Sequence, residues 1–252
     1  MKTLSVTNLK GGVGKSATVC ALAAGLQRKG LHVVVVDVDP QRNSTAQLGA
    51  AQGLTVYDML TGSATAKEAL QITPQAAVIP SDSRLAMKGV LQGRGDETRL
   101  KRALEPLQGR FDVAILDTPP NVGALTVGAM IASDGVIIPT VPDKHSVEAV
   151  TQTAASIDAI RRSANKGLRI LGILPTMVQR RFIVHQIQLE QLEQIAAALG
   201  VPVFEPVRYS PVVQEVEFTG QSVFDARKGN PAAIDYQIFV SRIYTELKGE
   251  LQ

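Results

Sequence analysis

The sequence predicts an α/β protein: a single-domain, three-layer fold whose mostly parallel, twisted sheet of about seven or eight strands is covered by helices on both faces. Three observations carry this. Apolar runs of strand length recur along the chain. Helical stretches alternate with them. The first run leads through a glycine-rich loop straight into a helix.

Taken in order, Thr3–Asn8 (TLSVTN) is the first strand and Ser16–Lys29 the first helix, stopped by Gly30. Val33–Val38 (VVVVDV) is an uninterrupted β-branched run, the mark of a parallel strand buried on both faces. The region Leu54–Gly109 is the least regular and has room for an insertion or extra helices, with one helix expected at Glu97–Leu107. Strands return at Asp112–Asp117 (DVAILD), Gly135–Val141 (GVIIPTV) and Leu168–Leu174 (LRILGIL). Helices are expected at Gly123–Ala132, Ser146–Ser163, Ile183–Leu199 and Ala232–Gln252. No Pro/Gly/Ser-rich linker and no repeat interrupts the pattern, so residues 1–252 are expected to form one domain. With a strand expected from residue 3, no N-terminal helix-turn-helix extension is expected.

Composition excludes several classes. A chain of 252 residues with 45% hydrophobic side chains is too apolar for disorder and long enough for a core. The single cysteine, Cys20, forms no internal disulfide framework and no clustered thiolate site, and is expected to pack in the core. No run reaches the roughly 18 apolar residues of a membrane span, and the N-terminus lacks a signal-peptide core, so the expected compartment is the cytoplasm. Net charge is +3.

The chemistry begins at Lys10–Ser16, KGGVGKS, between a strand and a helix. The usual first glycine of a phosphate loop is missing, and Lys10 is an extra feature. Gly11, Gly12 and Gly14 let backbone N–H groups turn toward anionic oxygens, and the helix start at Ser16 adds partial positive charge. Lys15 suits β and γ phosphates, and the Ser16 hydroxyl suits Mg²⁺. Gly12-x-Gly14-x-x-Ala17, with Asp37 or Asp39 on the next strand, also fits a dinucleotide fingerprint. That alternative leaves Lys15 and Ser16 unexplained. Two further strands end in acids: Asp37-Val38-Asp39-Pro40 and Asp117-Thr118-Pro119-Pro120. Carboxylates at the C-terminal edge of parallel strands face the ligand crevice, and an apolar strand closed by one Asp is a Walker B arrangement.

These residues resemble the ParA/Soj group of deviant Walker A ATPases, relatives of MinD. The likeness rests on KGGVGKS, on VDVDPQRNST at Val36–Thr45 and on AILDTPPNVGALT at Ala114–Thr126. LPTMVQRR at Leu174–Arg181 is similar to the loop after the adenine-side strand, and Pro206–Val223 matches more loosely. The resemblance implies a weak, partner-stimulated ATP hydrolase with ATP and Mg²⁺ as cofactors, acting in plasmid or chromosome segregation. Lys10 would reach the phosphates of a partner in an ATP-bound sandwich dimer. Gly11, Gly12, Val13, Gly14, Lys15, Ser16 and Ala17 would cradle the nucleotide, and Met177 and Pro206 would lie against adenine. Asp39 would orient the attacking water, while Ser16, Asp37 and Asp117 would serve the metal. The family pattern is broken at three places: Ala17 for a second Thr, Arg42 for Gly and Gly128 for Asn.

The implied partners are a second copy of the chain, duplex DNA bound without sequence preference, and a ParB-like centromere-binding or cargo-adaptor protein. Between Arg161 and Leu189 lie Arg161, Arg162, Lys166, Arg169, Arg180 and Arg181 and no carboxylate, the expected DNA-binding cluster of a nucleoid-associated protein. Arg208, Arg227, Lys228, Arg242 and Lys248 are secondary candidates. The alternatives are positioning of a protein cargo, or a MinD-like membrane-associated regulator of the division site. Membrane attachment is not expected, because the apolar residues of the terminal helix read as a core-packing face rather than a basic amphipathic one.

Overall fold

The computed structural model describes residues 1–87 and 96–251. Positions 88–95 of the expected irregular region, and Gln252 at the end of the expected terminal helix, lie outside them. In chain order the elements are β1 (Lys2–Val6), α1 (Lys15–Arg28), β2 (Val33–Asp37), α2 (Asn43–Gln47), α3 (Val56–Thr61), α4 (Ala66–Ala69), β3 (Gln71–Ile72) and β4 (Ala77–Ile79). There follow α5 (Arg99–Leu104), β5 (Val113–Asp117), α6 (Ala124–Ala132), β6 (Gly135–Thr140), α7 (Lys144–Ser163), β7 (Arg169–Pro175), α8 (Ile183–Leu199), α9 (Pro211–Thr219) and α10 (Pro231–Leu251).

Among the described residues the seven strands form one sheet in the order β3-β4-β2-β5-β1-β6-β7. All neighbours are parallel except β3 and β4. Alternation along each strand divides the core. Val33 and Val35 of β2, with Val113 and Ile115 of β5, pack toward α1 and α10. Val34 and Val36, with Ala114 and Leu116, pack toward the helices of the opposite face. This is why the runs are apolar at every position. Each such side chain contributes on the order of 1.5–3 kcal/mol on burial.

The α1 helix ends as its sequence dictates. Gly30 takes φ 87°, its N–H donates to Gln27, and the Leu31 N–H donates to Leu26, closing the helix with a left-handed glycine. The terminal helix α10 docks on α1 through Tyr236, Phe239, Val240 and Ile243, all buried. Cys20 is buried in this core. The expected helix at Glu97–Leu107 is shorter. Single 3₁₀ turns at Asp96–Thr98 and Glu105–Leu107 flank α5, and Pro106, which has no N–H, occupies the second turn.

Candidate functional site

The strand order places three motifs side by side. β2, β5 and β1 are adjacent, and β1 delivers the glycine loop. Asp37 and Asp117 are partners in the parallel register, and Val6 pairs with Asp117 on the other side. The Thr118 hydroxyl donates to the Val6 carbonyl at 2.9 Å, tying the end of β5 to the root of the loop.

Within the loop, Gly12 and Gly14 adopt φ 73° and 77°, which a side chain would oppose. Gly14 precedes α1 and supplies no side-chain cap. The first helical bond runs from Thr18 N–H to Gly14, so the N–H groups of Lys15, Ser16 and Ala17 begin the helix uncapped, as an anion site requires. Lys15 is buried, and its Nζ donates to the Lys10 carbonyl at 3.0 Å. Burial lowers its pKa, while the Asp117 and Asp39 charges pull it back up. Val13 is fully buried, and its carbonyl accepts from the Thr176 hydroxyl at 3.0 Å. Lys10 does not extend outward. Its Nζ donates to both carboxylate oxygens of Asp143, at 2.8 and 3.0 Å. Its backbone N–H donates to Asn8, whose own amide donates to Pro139.

The two facing carboxylates differ sharply. Asp37 accepts from the Asp39 N–H at 3.0 Å and from the Thr45 N–H and hydroxyl at 2.9 and 2.6 Å. The Ser81 N–H donates to that Thr45 hydroxyl, and the Ser81 hydroxyl donates to the Asp39 carbonyl. Asp37 thus ties the loop after β2 to its own strand end. Asp117 has both oxygens buried with no hydrogen-bond partner among the described residues. Burial first, then the Asp37 charge, pushes its pKa up to about 8, against a partial downward pull from the Ser16 and Ser44 hydroxyls. An unpaired buried carboxylate beside a second one and a helix-start serine fits a divalent cation held largely through water and phosphate. No cluster of three or more His, Cys, Asp or Glu able to hold a metal by itself occurs among the described residues. Asp39 is buried, and its Oδ1 accepts from the Gln41 N–H at 2.9 Å.

Met177 takes φ 55°, and its methyl carbon lies 3.7 Å from where a Cβ on Gly14 would fall. Pro206 belongs to a segment that runs beside the end of β7, where Val207 N–H donates to Pro175 and Val178 N–H donates to Val207. Met177 and Pro206 therefore flank the same corner of the sheet.

The expected basic cluster is not one surface. Arg161 and Arg162 end α7 and share Asp158, at 2.6 and 3.1 Å. Arg169 starts β7, with Glu246 at 3.9 Å. Arg180 and Arg181 follow the other end of β7. Seven strand residues, roughly 20 Å, separate them from Arg161, Arg162, Lys166 and Arg169. Adjacency in sequence had suggested a single patch, whereas the strand carries the two groups to opposite edges of the sheet. Asp143, Asn8, Thr45 and Ser81 were not anticipated. Only Asp143 left a signal, a carboxylate three residues before Ser146 at a helix start, where it accepts from the Ser146 N–H.

Comparison with known proteins places the chain in a family. A family model described as an AAA domain matches residues 1–170. The chain is 36% identical to the sporulation initiation inhibitor protein Soj of Bacillus subtilis (strain 168) over 187 residues, 71% of this chain and 74% of that protein. It is 31% identical to the chromosome-partitioning ATPase Soj of Thermus thermophilus over 249 residues, 98% and 97% of the two chains. Among solved structures, cobyrinic acid a,c-diamide synthase from Mycobacterium smegmatis with bound ADP and magnesium superposes with a TM-score of 0.85 at 30% identity, covering 99% of this chain and 96% of the other. The cell division ATPase MinD of Pyrococcus furiosus shares the fold, with a TM-score of 0.82 at 22% identity over 97% and 99%.

Proposed function

The chain belongs to the Soj/ParA family of P-loop ATPases, and from that premise we propose that it is a nucleotide-driven switch for DNA partition or cargo positioning. It is an ATP hydrolase that uses Mg²⁺. The observation that carries the assignment of its site is the unpaired Asp117 carboxylate, in register with Asp37 and beside the glycine loop.

The uncapped N–H groups of the loop and the start of α1, with the Lys15 ammonium, bind the phosphates. Ser16, Asp37 and Asp117 would hold the metal, and Asp37 also fixes the adjoining loop. Bound there, the cation neutralises charge on the transferring phosphoryl group. Asp39 orients the attacking water. Met177 and Pro206 close over adenine. Lys10 leaves Asp143 to reach a partner's phosphates, so hydrolysis needs a homodimer, and ATP favours the dimer because it binds that state better. The ATP-bound dimer holds duplex DNA through phosphate contacts, independent of sequence, and a ParB-like or cargo-adaptor protein stimulates release. Arg180 and Arg181 stand at the nucleotide edge of the sheet and are the stronger DNA candidates. Arg161, Arg162, Lys166 and Arg169 form a separate surface. Among the described residues no helix is long and apolar enough to cross a membrane.

The test is Asp39→Ala. The variant retains ATP-dependent dimers and DNA co-sedimentation while turnover falls by about 100-fold or more. Normal turnover in that variant overturns the role of Asp39.

A further inference from the structure

We propose that the protein carries a second binding site, for a small organic anion with an apolar body (a carboxylate or a phosphate monoester), in the cleft between the end of α1 and the start of α10. The cleft encloses about 370 Å³, within the range of small-molecule pockets. Four cations line it: Arg28, Lys29, Arg227 and Lys228. Two are matched by carboxylates, Arg28 by Asp225 at 2.6 Å and Arg227 by Glu215 at 4.0 Å. Lys29 instead lies 5.1 Å from the centre of the Tyr244 ring. No carboxylate is within ion-pair distance of Lys29 or Lys228 among the described residues, so the cleft keeps an excess of two positive charges.

Phe224, Ala233, Ile234 and Val240 give it apolar wall, beside the side chains of Asn230 and Gln237. The start of α10, a helix of 21 residues, lines the same cleft and adds partial positive charge. At that start Asn230 is 2% exposed. Its Oδ1 accepts from the Ser210 hydroxyl and the Ala232 N–H, which fixes the orientation of the amide. Its Nδ2 donates to nothing among the described residues. A buried donor without a partner costs about 1–3 kcal/mol, and Asn230 is one of the residues that line the cleft.

This cleft is not the nucleotide site. α1 starts at the phosphate loop and has 14 residues, so its far end lies about 20 Å away. A duplex backbone is the rival occupant, since phosphate contacts need cations alone. The enclosed volume, the apolar walls and the unpaired amide favour a small molecule with both a charged end and an apolar end.

Calorimetry on the full chain tests this, with the phosphate loop first saturated by Mg²⁺ and a non-hydrolysable ATP analogue. The probes are phenyl phosphate, inorganic phosphate and phenol. Phenyl phosphate is expected to bind once per chain, at least about tenfold more tightly than either control. Lys29→Gln with Lys228→Gln, both surface changes, should weaken it by about tenfold or more without altering uptake of the ATP analogue. Ala233→Phe, which fills the cleft, should abolish it. Absence of saturable phenyl phosphate binding overturns the proposal, as does equal binding by the double variant. Binding of inorganic phosphate as tight as that of phenyl phosphate, competed by a short duplex, would make the cleft a nucleic-acid phosphate contact and also overturn it.

Discussion

Asp143→Asn tests the state in which Lys10 is held. Lys10 and Asp143 are bonded at two oxygens, with side chains 33% and 45% exposed. Burial alone would raise the Asp143 pKa, but the Lys10 hydrogen bond and the Ser146 N–H and hydroxyl hold it below the usual carboxylate range. At this exposure solvent screens the pair, so its worth is about 0.5–1 kcal/mol. In the proposed dimer, two such pairs would have to break for two copies to exchange their Lys10 side chains. Removing the pair therefore favours the dimer by roughly 1–2 kcal/mol, about five- to thirty-fold in its dissociation constant. Asparagine keeps an oxygen for the Ser146 N–H, so the start of α7 stays capped. Sedimentation with Mg²⁺ and a non-hydrolysable ATP analogue measures the dimer at low and high salt. The gain should shrink at high salt, where the wild-type pair is already weakened. Unchanged or weaker dimerisation, with an unchanged melting temperature, would refute the idea that Asp143 restrains Lys10.

Three other outcomes follow from the geometry. Asp117 has its pKa raised to about 8 by burial and Asp37, so the folded, nucleotide-free protein is more stable with that group protonated, and stability falls as pH rises from about 4 through 8. Asp117→Asn should raise the melting temperature by several degrees at pH 8 and little at pH 5, while Mg²⁺-dependent turnover is lost; a gain independent of pH would contradict the assignment. A Cβ at Gly25 would fall 2.5 Å from a Val240 methyl, so Gly25→Ala should destabilise by about 1–3 kcal/mol and Val240→Ala should relieve part of the loss; additive costs in thermal melts would refute that contact. Arg180→Glu with Arg181→Glu should abolish ATP-dependent DNA retention and leave dimers intact, whereas Arg161→Glu with Arg162→Glu should weaken retention less; the reverse order in co-sedimentation would move the interface to the other edge of the sheet.

Much of this molecule was legible because a strand buried on both faces must be apolar throughout. β2, β5, β6 and β7 lie within a residue or so of their expected spans. The disagreements fall where side chains leave the ladder for the site. Thr7, Asn8 and Val38 were read as strand ends, yet Asn8 turns to hold the loop. β3 and β4, of two and three residues, were too short to carry a periodicity, and Pro74 and Pro80 stand beside them. The glycine loop and the three aspartates could be read from local spacing. Asp143 could not be tied to Lys10, because 133 residues separate them and only the parallel crossover brings them together. The basic window failed for the opposite reason: its residues are close in sequence and are carried apart by a strand.

The arrangement of the two facing aspartates would let the proposed site sense a nucleotide and move a loop. Asp37 spends its carboxylate on one donor from the loop after β2 and two from Thr45 in α2, so its position records where that segment lies. Asp117 spends none and resists ionisation until positive charge arrives. A cation delivered with phosphate would ionise Asp117 and change the field at Asp37, one register position away. The loop it would disturb contains Arg42 at φ 62°, a conformation that costs a side-chain-bearing residue about 1 kcal/mol. That strain is held only while the Asp37–Thr45–Ser81 bonds persist. Asp37→Asn should therefore loosen the loop even without nucleotide, seen as faster hydrogen exchange over residues 39–47, whereas Asp117→Asn should leave exchange there unchanged. Equal protection of the loop in both variants would mean that the two carboxylates do not divide the work in this way.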